Sequence, residues 1–163
     1  MRALFDEWMK LAERIGVVCV AEKRVVTGAE SCTGGLVAAV LTSVSGSSAW
    51  VDRGFVTYSN EAKMEMLGVA YATLDAFGAV SEETAREMAL GALKNSRATM
   101  AYSVTGVAGP TGGTATKPVG MVCFAFATAY SVTATTHHFG GDRSAVREQS
   151  VNFVLAQLSR ARI

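Results

Sequence analysis

Apolar and polar positions along this chain follow two periods. Leu4, Phe5, Trp8, Leu11, Ala12, Ile15 and Val18 recur every three or four positions, which predicts an amphipathic helix over residues 3–21. Arg24 to Ala29 predicts a short strand, and Glu30 to Gly35 a polar, glycine-bearing turn. An apolar helix is expected over Leu36–Val44, broken at Ser45 to Ser48. A strand falls between Trp50 and Thr57 with Gly54 at a bend, and Asn60 is the expected cap of a helix through Leu67. Ser81, followed by Glu82 and Glu83, opens a helix to about Asn95. Thr99–Thr105 reads as a strand entering a glycine-rich loop, Gly106–Gly113. Val119–Thr128 and Val132–Phe139 read as a hairpin, and Asp142 caps a last helix to about Arg160. Helices and strands alternate until that hairpin. The order predicts a single α/β domain over residues 1–163, three layers α/β/α around a mixed, mostly parallel sheet.

Composition narrows the function classes. Half of the 163 residues are hydrophobic and 18% are charged, with a formal net charge of +1. A packed core is expected, and no basic stripe suits nucleic acid. The small charge leaves room for a buried subunit contact, so a homodimer is expected. Cys19, Cys32 and Cys123 are odd in number and contain no C-x-x-C pair, which fits a reducing, cytoplasmic setting. The charged N-terminal helix does not read as a signal peptide. The uncharged run Met121–Tyr130 is too short to span a bilayer as a helix, so no membrane partner is expected.

Candidate chemistry collects at glycine-marked breaks. The stretch SAWVDRGFVTYSNEAK holds Ser48, Tyr58 and Lys63. A serine hydroxyl becomes nucleophilic when a base takes its proton, and a desolvated lysine amine can be that base. A tyrosine hydroxyl can relay the proton or steady the lysine. A straight strand would hold Ser48 and Tyr58 roughly 33 Å apart, so the chain must turn at Asp52–Gly54 or a second subunit must complete the site. ESCTGG (Glu30–Gly35) sits between a strand and a helix, where free amides can meet an anion, or where Thr33 simply caps the helix. TGVAGPTGG (Thr105–Gly113) is an anion nest, a lid or an ordinary surface loop. Arg143 and Arg147, spaced i and i+4 at a helix start, suit a phosphate or else pair with Glu148. His137 and His138 are adjacent in a strand and face opposite sides, so no metal site is expected.

Taken together, AESCTGG, SGSSAW, RGFVTYSNEAK, GAVSEE, TGVAGPTGG, KPVG and GDRSAVR occur in an order that resembles the CinA C-terminal-domain family, in its PncC-type nicotinamide-nucleotide amidase form. The resemblance covers nearly the whole chain. It implies hydrolysis of nicotinamide mononucleotide to nicotinic acid mononucleotide and ammonia, without cofactor or metal. It implies Ser48 as nucleophile, Lys63 as base and Tyr58 as assistant. Ser31, Thr33, Gly46, Thr105, Gly106, Gly109, Arg143 and Arg147 then bind the nucleotide substrate, with amides of the Gly46 turn holding the oxyanion. Which of Ser31, Ser47 and Ser48 attacks stays open, since all three lie in motif segments. A non-catalytic nucleotide-binding or protein-interaction module is the competing reading, and an ammonia-release assay separates the two.

Overall fold

A computed structural model describes residues 2–160. Five strands form one sheet in the order β2-β1-β3-β4-β5: β1 (Val26–Glu30), β2 (Val51–Val56), β3 (Met100–Gly106), β4 (Met121–Thr128) and β5 (Val132–His138). β1 pairs in parallel with β2 and β3, while β4 is antiparallel to β3 and β5. Four strands therefore point one way and β4 alone runs back.

The layers follow from alternation along the central strands. Met100, Tyr102, Val104, Val122, Phe124 and Phe126 present large side chains to one face, in a core shared with α1 (Arg2–Glu22), α2 (Leu36–Thr42) and α6 (Arg143–Leu158). Ala29, Ala101, Cys123, Ala125 and Ala127 present small ones to the other. There α3 (Asn60–Leu67), α4 (Tyr71–Phe77) and α5 (Glu82–Lys94) pack. The small face lets α5 lie close through Ala85, Met88, Ala89 and Ala92. α3 in turn seats on α5 at Gly91, where an added Cβ would collide with the Leu67 carbonyl.

Two expectations change. Ser59, not Asn60, caps α3, its Oγ accepting from the Ala62 amide at 3.0 Å. The helix α4 was not expected, because its seven residues lack a side-chain cap and bury only Leu74. Ser81 and Asp142 cap α5 and α6 as their positions predict, accepting from Thr84 and Ala145 amides. Among the described residues no helix is long and apolar enough to cross a membrane.

The chain after β1 crosses on the α2 side to reach β2, and the chain after β2 crosses on the α5 side to reach β3. β1 and β3 are neighbours whose following connections leave in opposite directions. Such a switch point opens a crevice beyond the strand ends, where α/β sheets bind ligands.

Candidate active site

Ser31 is the first residue beyond β1, and its amide donates to the Val104 carbonyl of β3 at 2.9 Å across that crevice. The chain then turns through Cys32–Gly35 into α2, with Gly34 and Gly35 at φ of 61° and 95°. Positive φ is cheap only for glycine, so the turn needs both. β2 ends one residue before Thr57, whose amide donates to the Glu30 carbonyl at 2.9 Å. α3 then starts and brings Lys63 back under the strand ends.

Lys63 Nζ lies 3.1 Å from Ser31 Oγ and 2.9 Å from the Thr57 carbonyl oxygen. The side chain is long and charged by habit, yet the residue is 2% exposed. Among the described residues no carboxylate forms an ion pair with it. Burial therefore pushes its pKa below the ordinary 10.5, opposed only by nearby Cys32. Burial also pushes the Cys32 thiol up to about 12, so the sulfur beside Ser31 stays protonated.

Two clamps fix the Ser31 turn. From inside, Glu30 accepts from the Val37 amide at 2.8 Å and the Thr33 hydroxyl at 3.0 Å. It thus caps α2, whose own N-cap, Gly35, has no side chain. Burial raises its pKa, and the Val37 and Thr33 hydrogen bonds partly offset the rise. From outside, Arg147 Nε donates to the Cys32 carbonyl at 3.1 Å and Nη2 to the Thr33 carbonyl at 3.2 Å. The neighbouring Arg143 donates to the Gly109 carbonyl and to Tyr58 Oη, both at 2.8 Å. A cleft of about 420 Å³ opens beside it, lined by Ala108, Pro110, Val119 and the first residues of α6.

Several sequence-based assignments move. Ser48 lies in a 3₁₀ turn ahead of β2, whereas Lys63 lies beyond that strand's other end. Six residues of β2, roughly 20 Å of extended chain, separate the two, and Lys63 meets Ser31 instead. The Gly46 turn shares the Ser48 end and offers no oxyanion donors to Lys63's serine. It borders an apolar cleft of about 500 Å³ between α1 and Trp50. Tyr58 is 60% exposed and bound to Arg143, not to Lys63, because the Thr57 carbonyl already holds the amine. Thr105 is buried and donates to the Ala79 carbonyl at 2.8 Å, which leaves its hydroxyl proton unavailable to a ligand. Gly106 belongs to β3, where a Cβ would strike Val122 and the Met121 carbonyl. Ser31, Thr33, Gly109 and Arg143 do share one end of the sheet. Glu30 escaped the sequence reading; its one signal is an acid closing an apolar strand just before a serine.

With this geometry in hand, comparison with known proteins is informative. Residues 9–161 match the model of the CinA C-terminal domain. The Escherichia coli K12 nicotinamide-nucleotide amidohydrolase PncC is 55% identical over 154 residues, covering 94% of this chain and 93% of that protein. A putative competence-damage inducible protein of Caldicellulosiruptor saccharolyticus is 46% identical over 98% of this chain, but only 40% of its own length takes part. Among solved structures, the competence/damage inducible protein CihA of Agrobacterium tumefaciens superposes with a TM-score of 0.90 at 49% identity, covering 93% of each chain. The Klebsiella pneumoniae protein described as competence damage-inducible protein A gives 0.90 at 38% identity, covering 93% of this chain and 94% of that one.

Proposed function

Since the chain belongs to the CinA C-terminal domain family, we propose that it is an amidohydrolase converting nicotinamide mononucleotide to nicotinic acid mononucleotide and ammonia, with Ser31 as nucleophile and Lys63 as base. One observation supports the dyad above all others: a buried lysine with no ion pair among the described residues stands 3.1 Å from a serine hydroxyl.

In the neutral state Lys63 keeps one N–H on the Thr57 carbonyl and accepts the Ser31 O–H on its lone pair. Ser31 Oγ attacks the carboxamide carbon as its proton passes to Nζ. The carbonyl π pair moves onto oxygen and forms a tetrahedral oxyanion. Collapse breaks the C–N bond, Lys63 returns the proton to the departing nitrogen, and ammonia leaves an ester on Ser31. Water then attacks that ester, giving its proton to Lys63, and the collapsing intermediate releases the acid while Ser31 recovers a proton. The cleft beside Arg143, at the start of α6, is suited to the nucleotide phosphate through one guanidinium and the helix N-terminus.

The test is ammonia release from nicotinamide mononucleotide. Ser31→Ala and Lys63→Met should each lose at least about 10³ in kcat, while Ser48→Ala retains activity, since one covalent step depends wholly on the first two. Loss in Ser48→Ala with activity kept in Ser31→Ala would return the nucleophile to the SGSSAW motif. Binding of the nucleotide without turnover in the unaltered protein would favour the non-catalytic module, a reading in keeping with the competence and damage names of some relatives.

A further inference from the structure

Arg147 sits four residues beyond Arg143 on the same helix, and its spacing predicts a phosphate ligand. Its hydrogen bonds point to another role. Nε and Nη2 are directed at consecutive carbonyls, Cys32 and Thr33, in the turn that follows the nucleophile. Each peptide unit is planar and trans, so its C=O and N–H point in opposite directions. Holding the Cys32 oxygen on the Arg147 side therefore turns the Thr33 N–H away from Arg147. The same argument applied to the Thr33 oxygen turns the Gly34 N–H away, and that amide closes the turn on the Ser31 carbonyl at 3.0 Å. Cys32 and Thr33 are both buried, so the fork and this closure together fix the turn from Ser31 to Gly34. α6, which carries Arg147, lies in the layer opposite α3, which carries Lys63. The Ser31 turn is therefore gripped by α6 from one layer while Lys63 meets Ser31 from the other.

We infer that Arg147 is a positioning residue: its fork on the Cys32 and Thr33 carbonyls holds the turn that presents Ser31 Oγ to Lys63. The inference rests on Ser31 being the nucleophile. It makes the two α6 arginines different in kind, Arg143 facing the nucleotide cleft and Arg147 setting the peptide planes of the turn. A planar fork suits two adjacent carbonyls as no ammonium can, so lysine is a poor replacement.

Steady-state kinetics on two substrates separates positioning from phosphate binding. Arg147→Ala should lower kcat about 100-fold, the loss that a displacement of roughly 1 Å can cause, with KM for nicotinamide mononucleotide within about threefold. Nicotinamide riboside, which lacks the phosphate, should lose the same factor. Added guanidinium should restore part of kcat, and Arg147→Lys should fall between wild type and Arg147→Ala. A KM increase confined to the phosphate-bearing substrate, with kcat unchanged, would overturn the inference and make Arg147 a substrate ligand. If Arg147→Ala does not fold, Arg147→Gln, which keeps one donor, takes its place under the same two criteria. A small fluorophosphonate tests the role without any nucleotide. Its tetrahedral adduct on Ser31, located by mass spectrometry, should form about 100-fold more slowly in the variants. Equal rates in variant and wild type would refute the positioning role whatever the natural substrate is. Absence of a Ser31 adduct in wild type would refute the nucleophile and this role with it. Adduct formation without nicotinamide mononucleotide turnover would sink only the substrate reading.

Discussion

Gly91→Ala is the most informative perturbation away from the site. Gly91 is buried in α5, where alanine would normally gain about 1 kcal/mol of helix propensity. Here the new Cβ would lie 2.8 Å from the Leu67 carbonyl carbon and 3.0 Å from its Cα, besides overlapping the carbonyl oxygen. Ordinary carbon–carbon contact needs about 3.5–4.0 Å, so α3 must retreat by roughly 1 Å. The obstacle is backbone, which cannot rotate aside as a side chain would. Overpacking of this kind costs about 1–3 kcal/mol, enough to cancel the propensity gain or exceed it. The functional effect should be larger than the stability effect. Lys63 is one turn before Leu67 on α3, and a 1 Å displacement lengthens its 3.1 Å approach to Ser31. A misplacement of that size can cost about 10² in rate. The assay pairs urea unfolding with ammonia release. The expected result is a stability change within about 2 kcal/mol and a kcat about 100-fold lower. A variant that is fully active and more stable than wild type would refute the claim that α3 is seated by backbone contact at Gly91.

Three further outcomes follow from the buried titratable groups. Lys63 has a lowered pKa, so the folded protein releases that proton at lower pH than the unfolded chain; kcat should rise and level off at a pH below 10.5, stability should go on rising until 10.5, and a Lys63→Met variant should lose that rise in urea-unfolding free energy. The Cys32 thiol, pushed up to about 12 and buried, should resist iodoacetamide at pH 8 in the native protein yet react fully in urea; rapid native alkylation would contradict the burial described here. Glu30 has a raised pKa, so its ionisation above 4.5 costs stability in the fold; Glu30→Gln keeps an acceptor for Val37 and Thr33 and should unfold at a midpoint no lower than wild type near neutral pH, whereas Glu30→Ala should lose about 1–3 kcal/mol, and equal losses in both would mean the charge itself is required.

The layered architecture was legible because its signals are local and periodic. Trp8, Ala12 and Ile15 mark the buried side of α1, and Ser81 and Asp142 stand where their capping chemistry requires. α4 escaped for the opposite reason, being short and uncapped, with most of its residues exposed. The site was half legible. Glycine after a strand marked Ser31, Thr33, Gly109 and the start of α6, which the fold gathers at one end of the sheet. The pairing of Ser48 with Lys63 followed closeness in sequence and the family's motifs, and within one chain the fold sets Lys63 beside Ser31 instead. Ser48 is fifteen positions from Lys63 and Ser31 is thirty-two, yet a parallel crossover returns the chain to the same end of the sheet only after a whole strand. Ser31 therefore gains what Ser48 loses. The commitment of Arg147 to carbonyls could not be read from an i, i+4 spacing, which says where a guanidinium begins and nothing of what it meets.

The dyad is tested most directly by trapping the acyl-enzyme. The protein is mixed with nicotinamide mononucleotide, quenched in acid within the first turnovers and digested. Trypsin leaves Ser31 and Ser48 on one peptide, Val25 to Arg53, so fragmentation must assign the site. The account requires the nicotinoyl-nucleotide ester on Ser31, and its disappearance in Lys63→Met. An ester on Ser48 would contradict it.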